Sequence, residues 1–331
     1  MRSSAQTTES ARGARGRCVR IVLLAVLAVI ASGAAVRAQL SGHNTKGDFG
    51  VLAASQPPPG LYVVAPLYLH YEADTLRNRD GESLRLDFSL DFNAYVFGLL
   101  WVSEKKVLGG NYSFQIFPAF TDNGLEAPAL DLDASVSTGF TDLYVVPIHL
   151  GWHRQRADYV AGLGLFAPTG RYEPDADDNL GLGMWSFELF GGGTWYLDED
   201  KSWHFAALAF YETHTDKEGS DTKVGDLLTL EGGLGKSFMQ GAASVGLAYY
   251  AQWKMSGDDL GLDFQLPSGR RLGKHQVFGI GPDVTFPIAT KKKLYGFINA
   301  RYLWEFDAQS TLEGNTFVLT ATFPIPSVPL Q

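Results

Sequence analysis

The chain has 331 residues, of which 45% are hydrophobic, 13% aromatic and only 19% charged, with a formal charge of −9. So many aromatic residues with so few charges exclude a disordered chain, and the acidic excess lacks the positive footprint that nucleic acid demands. The lone Cys18 excludes an intramolecular disulfide and a cysteine-based zinc site.

In chain order, Arg12, Arg15, Arg17 and Arg20 are followed by an almost wholly apolar run from Ile21 to Val36, and then by Val36-Arg37-Ala38. A basic stretch, an apolar stretch and small residues at the cleavage positions make a secretory signal peptide over residues 1–38. The apolar run is short for a membrane anchor, which needs about 20 residues. Removing it takes away six arginines and Glu9, leaving a cysteine-free mature chain of charge −14. Residues 39–58 show no clear period and contain Gly47-Asp48-Phe49-Gly50. They read as a periplasmic lead-in or as a plug that folds back.

From residue 59 to the end the pattern is alternation. In Ala243–Met255 the odd positions carry Val245, Leu247, Tyr249, Trp253 and Met255, against Ser244, Gly246, Gln252 and Lys254. In Leu294–Asp307 an apolar face with Ile298, Tyr302, Trp304 and Phe306 alternates with Asn299, Arg301, Glu305 and Asp307. Successive side chains of a strand point to opposite faces, so each segment has an apolar and a polar wall. Twelve such segments are predicted, near 61–72, 86–102, 109–121, 138–152, 157–168, 183–197, 202–215, 224–238, 241–256, 275–288, 293–307 and 315–325. Short connections around Lys105, Gln155, Glu199, Met239 and Lys292 alternate with long ones near 73–85, 122–137, 169–182, 216–223, 257–274 and 308–314.

Strands of soluble sandwiches run to about 5–6 residues, whereas a strand crossing a bilayer needs about 9–11. An even number of long alternating strands, with short turns at one end and long loops at the other, predicts an all-β fold. It is a closed, antiparallel, up-and-down transmembrane barrel of about twelve strands, occupying 59–331 as one domain. Tryptophans lie near segment ends: Trp101, Trp152, Trp195 and Trp203 by short turns, Trp185, Trp253 and Trp304 toward long loops. An indole settles at a membrane–water boundary, so Trp152, Trp185, Trp195, Trp203, Trp253 and Trp304 are expected in two interface belts.

Several motifs carry a family resemblance: Pro57-Pro58-Pro59-Gly60-Leu61-Tyr62, Leu108-Gly109-Gly110-Asn111-Tyr112-Ser113-Phe114, Pro168-Thr169-Gly170-Arg171-Tyr172, Trp185-Ser186-Phe187-Glu188 and Gly225-Asp226-Leu227-Leu228. Over roughly 47–325 the chain resembles the family named for the meta-cleavage pathway of phenol degradation. The resemblance implies an outer-membrane channel or transporter associated with aromatic-compound breakdown. The C-terminus departs from barrels that end on an aromatic residue, because Phe323 is followed by Pro324, Pro326, Pro329 and Gln331.

If apolar faces meet lipid, the expected lumen-facing residues are Tyr68, His70, Asp91, Asn93, Gln115, His149, Glu188, Glu231, Gln252, Lys254, Asp283, Asn299, Arg301 and Glu305. His204, Glu212, Tyr95, Phe97, Phe190 and Tyr250 share that wall. Charges belong inside because on the lipid face they cost a few kcal/mol at mid-membrane. Arg301 is expected to pair with Glu188, Glu231 or Glu305. The acidic loop 173–179 has oxygens that suit calcium but lacks the EF-hand pattern. No metal, cofactor or catalytic motif is expected. The resulting expectation is a non-enzymatic channel in the outer membrane of a Gram-negative bacterium, passing small hydrophobic or aromatic solutes passively. Its neighbours would be membrane lipid, lipopolysaccharide and the barrel-assembly machinery. The alternatives are a non-transporting barrel with a structural or surface-binding role, and an exported soluble sandwich.

Overall fold

The computed structural model describes residues 41–84, 87–128, 132–174, 176, 178–259 and 274–329. The signal peptide therefore lies outside the described residues, as do most of the 257–274 connection and two aspartates of the acidic loop. Strands β1 (Gly60–Leu76), β2 (Ser89–Val107), β3 (Gly110–Phe117), β4 (Ala119–Ala127), β5 (Leu132–Phe140), β6 (Leu143–His153), β7 (Ala157–Ala167) and β8 (Ser186–Tyr196) make the first half. The second half is β9 (Trp203–His214), β10 (Leu227–Phe238), β11 (Ala243–Lys254), β12 (Gln276–Ala289), β13 (Lys293–Gln309), β14 (Leu312–Ile325) and the two-residue β15 (Val328–Pro329). No described helix is long and apolar enough to cross a membrane.

The pairings resolve these pieces into twelve antiparallel staves. Strand β2 pairs with both β3 and β4, which form one stave interrupted at Pro118. Strand β5 pairs with β4 and β6 with β3, making a second interrupted stave. The remaining strands pair in sequence order through β14, and β1 pairs with both β14 and β2, so the ring closes. The ring closes through β6 and β7, the condition lipid imposes, whereas among the described residues β5 pairs only with β4 and keeps its outer edge open. Turns at 108–109, 154–156, 197–202, 239–242 and 290–292 mark one end, and the longer connections mark the other.

Two connections differ from the sequence expectation. The first short turn lies at Leu108-Gly109, where Leu108 adopts φ 51° and Gly109 φ 80°, rather than around Lys105. The 122–137 segment is mostly strand: β4 continues to Ala127 and β5 resumes at Leu132. The 19 residues of β2 outrun the 9–11 that a bilayer requires, so this side of the barrel projects past the membrane and carries its neighbours with it.

Outward positions make the apolar band. Leu99, Trp101, Leu163, Phe187, Leu189, Leu234, Leu247, Phe286 and Trp304 are all exposed large hydrophobics. In a soluble protein such a girdle would be a liability, but against hydrocarbon it is the surface that binds. Among the tryptophans expected at the interface, Trp203 opens β9, Trp185 directly precedes β8, and Trp152, Trp195 and Trp253 each stand next to a strand end. Trp304 lies five residues before the end of β13. The Trp152 indole donates to the Leu108 carbonyl at 3.0 Å, fixing its polar edge at the turn.

Candidate functional site

The lumen has two unlike walls. Leu69, Tyr71 and Ala73 of β1, Leu90 and Ala94 of β2, Leu125 and Ala127 of β4 and Val318 of β14 form a buried apolar cluster, with Leu67, Phe92 and Leu312 packed against it. That these positions face inward follows from Tyr71, whose hydroxyl donates to Glu305 at 2.9 Å. The opposite wall, on β8, β9, β10, β12 and β13, carries buried Glu188, Glu212, Glu231, Asp283 and Glu305.

Residues 41–56 run against this second wall. The His43 and Asn44 amides donate to the two oxygens of Glu212 at 2.7 and 3.1 Å. The Asn44 side chain donates to Glu188 at 2.8 Å, which also accepts from Tyr144 at 2.5 Å. Lys46 Nζ donates to Glu305 at 2.6 Å and lies over the Tyr71 and Tyr250 rings. The amides of Gly47 and Phe49 donate to the two oxygens of Glu231 at 3.1 and 2.8 Å. Each buried carboxylate thus receives strong donors, which a charge taken out of water requires.

Further along, His204 shares a hydrogen bond with the Val51 carbonyl at 2.9 Å. Ala54 packs into a buried cluster with Val146, Val160, Phe190, Leu208 and Phe210. Ser55 donates to Asp158 at 2.6 Å and Gln56 to Ser113 at 3.0 Å. Ser113 lies near the start of β3, at the short-turn end, while the His43 ring reaches Ser186, at the long-loop end of β8, and Asp142, at the break between β5 and β6. The segment therefore crosses the lumen from the short-turn end to the level at which β8 begins. Glycine makes the close passes possible: Gly47 has φ 91°, and a Cβ on Gly50 would lie 1.8 Å from Asp283 Oδ2.

The His43 ring lies between Ser186 Oγ (2.6 Å) and Asp142 Oδ2 (2.8 Å) and stacks on Phe166 at 4.7 Å. A serine–histidine–aspartate chain of this kind activates a nucleophile when a substrate can reach it. Here Ser186 is fully buried, so the chain acts as a latch for the segment.

Of the residues expected in the lumen, Glu188, Glu231, Asp283, Arg301 and Glu305 bear on the segment. Asn299 donates to Asp283 at 2.9 Å and accepts from Arg301 at 2.7 Å. Gln252 bonds Thr229, Lys254 pairs with Asp258, Gln115 bonds His149, and His149 packs on Phe190; all point inward. Arg301 differs in its partner. Its Nε lies 3.3 Å from Asp283 and its Nη1 donates to the Gly47 carbonyl at 3.1 Å, not to a glutamate. Directly opposite residues on paired strands share a face, and Arg301 stands opposite Asp283.

Tyr68, His70, Asp91 and Asn93 face outward, against expectation. A bulge between Val64 and Leu67 flips the alternation of β1, so Leu69 and Tyr71 turn in while Tyr68 and His70 turn out. Asp91 and Asn93 share a face with exposed Phe97 and Trp101, so Phe97 and Tyr95 also leave the lumen. They sit where β2 has passed the apolar band, so water rather than hydrocarbon meets them. Tyr68 and His70 bond Asn93 there, and Asn93 donates to Asp122. Asp307 is likewise exposed, because its φ of 50° breaks the register of β13 with β12.

Sequence reasoning left out His43, Asn44, Lys46, Asp142 and Ser186. One signal was available: the wall holds five inward carboxylates with few inward bases, so cationic and N–H donors had to come from elsewhere in the chain.

A family model described as "Putative MetA-pathway of phenol degradation" matches residues 73–321. The structure is similar to that of the COG4313 outer membrane channel from Pseudomonas putida F1. The TM-score is 0.69 at 16% identity, covering 85% of this chain and 99% of that one. It also aligns with the beta domain of the Bordetella autotransporter BrkA at a TM-score of 0.46 and 15% identity, over 80% of this chain and 99% of that one. No curated protein matches by sequence.

Proposed function

The chain belongs to the family described as "Putative MetA-pathway of phenol degradation", and from that premise we propose that it is an outer-membrane channel that lets small hydrophobic or aromatic solutes cross without energy input. The observation that supports this reading is the apolar inner wall of Leu67, Leu69, Leu90, Phe92, Leu125 and Val318. Such a surface offers a solute an apolar face, with the polar groups of Tyr71 and Glu305 beside it to orient a hydroxyl. The apolar band around the outside sits in lipid, with lipopolysaccharide in the outer leaflet. Export through a cleaved signal and insertion by the barrel-assembly machinery complete the reading.

Uptake of a panel of phenols and fatty acids, compared in cells with and without the gene, tests it. Faster uptake of the phenols with the gene is the expected result, and equal uptake across the panel would refute it. The second reading is a non-transporting barrel, favoured by the segment that runs through the lumen. Planar-bilayer recordings separate the two, since that barrel stays silent.

A further inference from the structure

The five carboxylates of the inner wall stand on five different strands, yet four of them, Glu188, Glu212, Glu231 and Glu305, accept from one seven-residue stretch of chain, and Asp283 reaches it through Arg301. Within the barrel itself they have few cationic partners. Arg301 pairs with Asp283 and His214 lies 3.1 Å from Glu212. Barrel hydroxyls and amides add donors from Tyr71, Tyr144, Tyr250, Asn299 and Gly314, and residues 43–49 supply four backbone amides, the Asn44 side chain and the Lys46 ammonium. Glu212 and Glu231 each spread two oxygens across two backbone amides, and Glu305 takes the one ammonium. Tyr71 and Tyr250 frame that ammonium with their ring faces and donate their hydroxyls to the same carboxylate. The wall is thus shaped for a main chain plus one cation. A buried polar atom marks a further feature of the wall: among the described residues, Asp283 Oδ2 meets no hydrogen-bond donor and lies 3.3 Å from Arg301 Nε.

We propose that the carboxylate wall of β8, β9, β10, β12 and β13 is a binding site for an extended peptide that carries a lysine, occupied in cis by residues 43–49. With the segment withdrawn, the wall binds such peptides in trans and makes the lumen cation-selective. Withdrawal removes Lys46 together with Asp48, so the segment takes no net formal charge with it, and the five wall carboxylates then face water; a ring of carboxylates in a narrow pore favours cations. The inference is independent of hydrophobic transport: it concerns the opposite wall, and its readouts are peptide exchange and ion selectivity.

The test begins from the full mature protein, folded in detergent. A protease site placed at Pro57–Pro59 is cut after folding, so the barrel never has to form without its segment. A dye-labelled synthetic peptide of residues 41–56 is then added, alongside the same peptide with Lys46→Glu. The labelled parent peptide is expected to exchange for the cut fragment, and the Lys46→Glu peptide to bind at least about tenfold more weakly, as loss of a buried ion pair requires. In planar bilayers, fragment removal should raise the potassium-to-chloride permeability ratio about threefold or more. Glu212→Gln with Glu231→Gln in the cut protein should return the ratio toward that of the uncut parent. Equal binding of the two peptides, or an unchanged ratio after the fragment has gone, would overturn the proposal.

Discussion

Arg301 and Gly50 show how much a single side chain decides here. Replacing Arg301 with Ala leaves Asp283 buried without its cation and releases the Gly47 carbonyl. Breaking a buried pair in this one-sided way costs about 3–5 kcal/mol. The expected outcome is a lower urea midpoint in detergent together with a larger bilayer conductance, because the same guanidinium holds the segment. Gly50→Ala changes the segment and leaves the sequence of the wall intact. Its new methyl would meet Asp283 Oδ2 at 1.8 Å, so the chain must lift locally, and conductance should rise while heat-modifiable gel mobility stays that of a folded barrel. Unchanged conductance in both variants would show that the segment does not obstruct the path. The partner of Arg301 was not legible in the sequence. Alternation gives the face a residue takes, but not the register, and only register sets Asp283 opposite it.

At the scale of elements, the strands were legible and their lengths were not. Ala243–Lys254 forms β11 almost as the alternation of Val245, Leu247, Tyr249 and Trp253 predicts. β1 and β2 were misassigned for two separable reasons. The bulge at Pro66 inverts the faces of β1, and the upper part of β2 stands clear of hydrocarbon, where the rule that charges turn inward no longer holds. The long-loop end also carries a titrating group outside the spanning strands. Lys217, in the connection after β9, is buried, donates to the Leu182 carbonyl at 2.6 Å and lies over the Tyr172 ring. Burial pulls its pKa down to about 8. A lysine whose folded pKa lies below its unfolded value opposes docking while it is charged. The opposition is greatest below about 8 and fades as pH rises toward the ordinary lysine value. The thermal midpoint of the protein in detergent should therefore climb as pH passes upward through about 8, and Lys217→Met should flatten that climb.

For the whole molecule, the closed ring and its exposed apolar band predict a polypeptide that needs a surfactant or a bilayer. The mature protein should migrate differently on gels when boiled and unboiled, and should precipitate when detergent is withdrawn. A folded, freely soluble monomer would contradict the architecture. Barrel and strand number were readable because hydrocarbon imposes one repeating rule on every stave. The threading of residues 41–56 was not readable, because an aperiodic stretch gains its shape only from the wall it lies on. Its carboxylate partners on the barrel sit 99 to 259 positions away in sequence.

That threading constrains anything joined ahead of Ser41. The stretch enters beside the tight turns and delivers its leading end toward the opposite mouth, like a cord drawn through a sleeve. A compact passenger fused upstream cannot follow it through a bore already crowded with side chains. Such a fusion must either emerge on the loop side before the staves close, or hold the cord out and leave the bore clear.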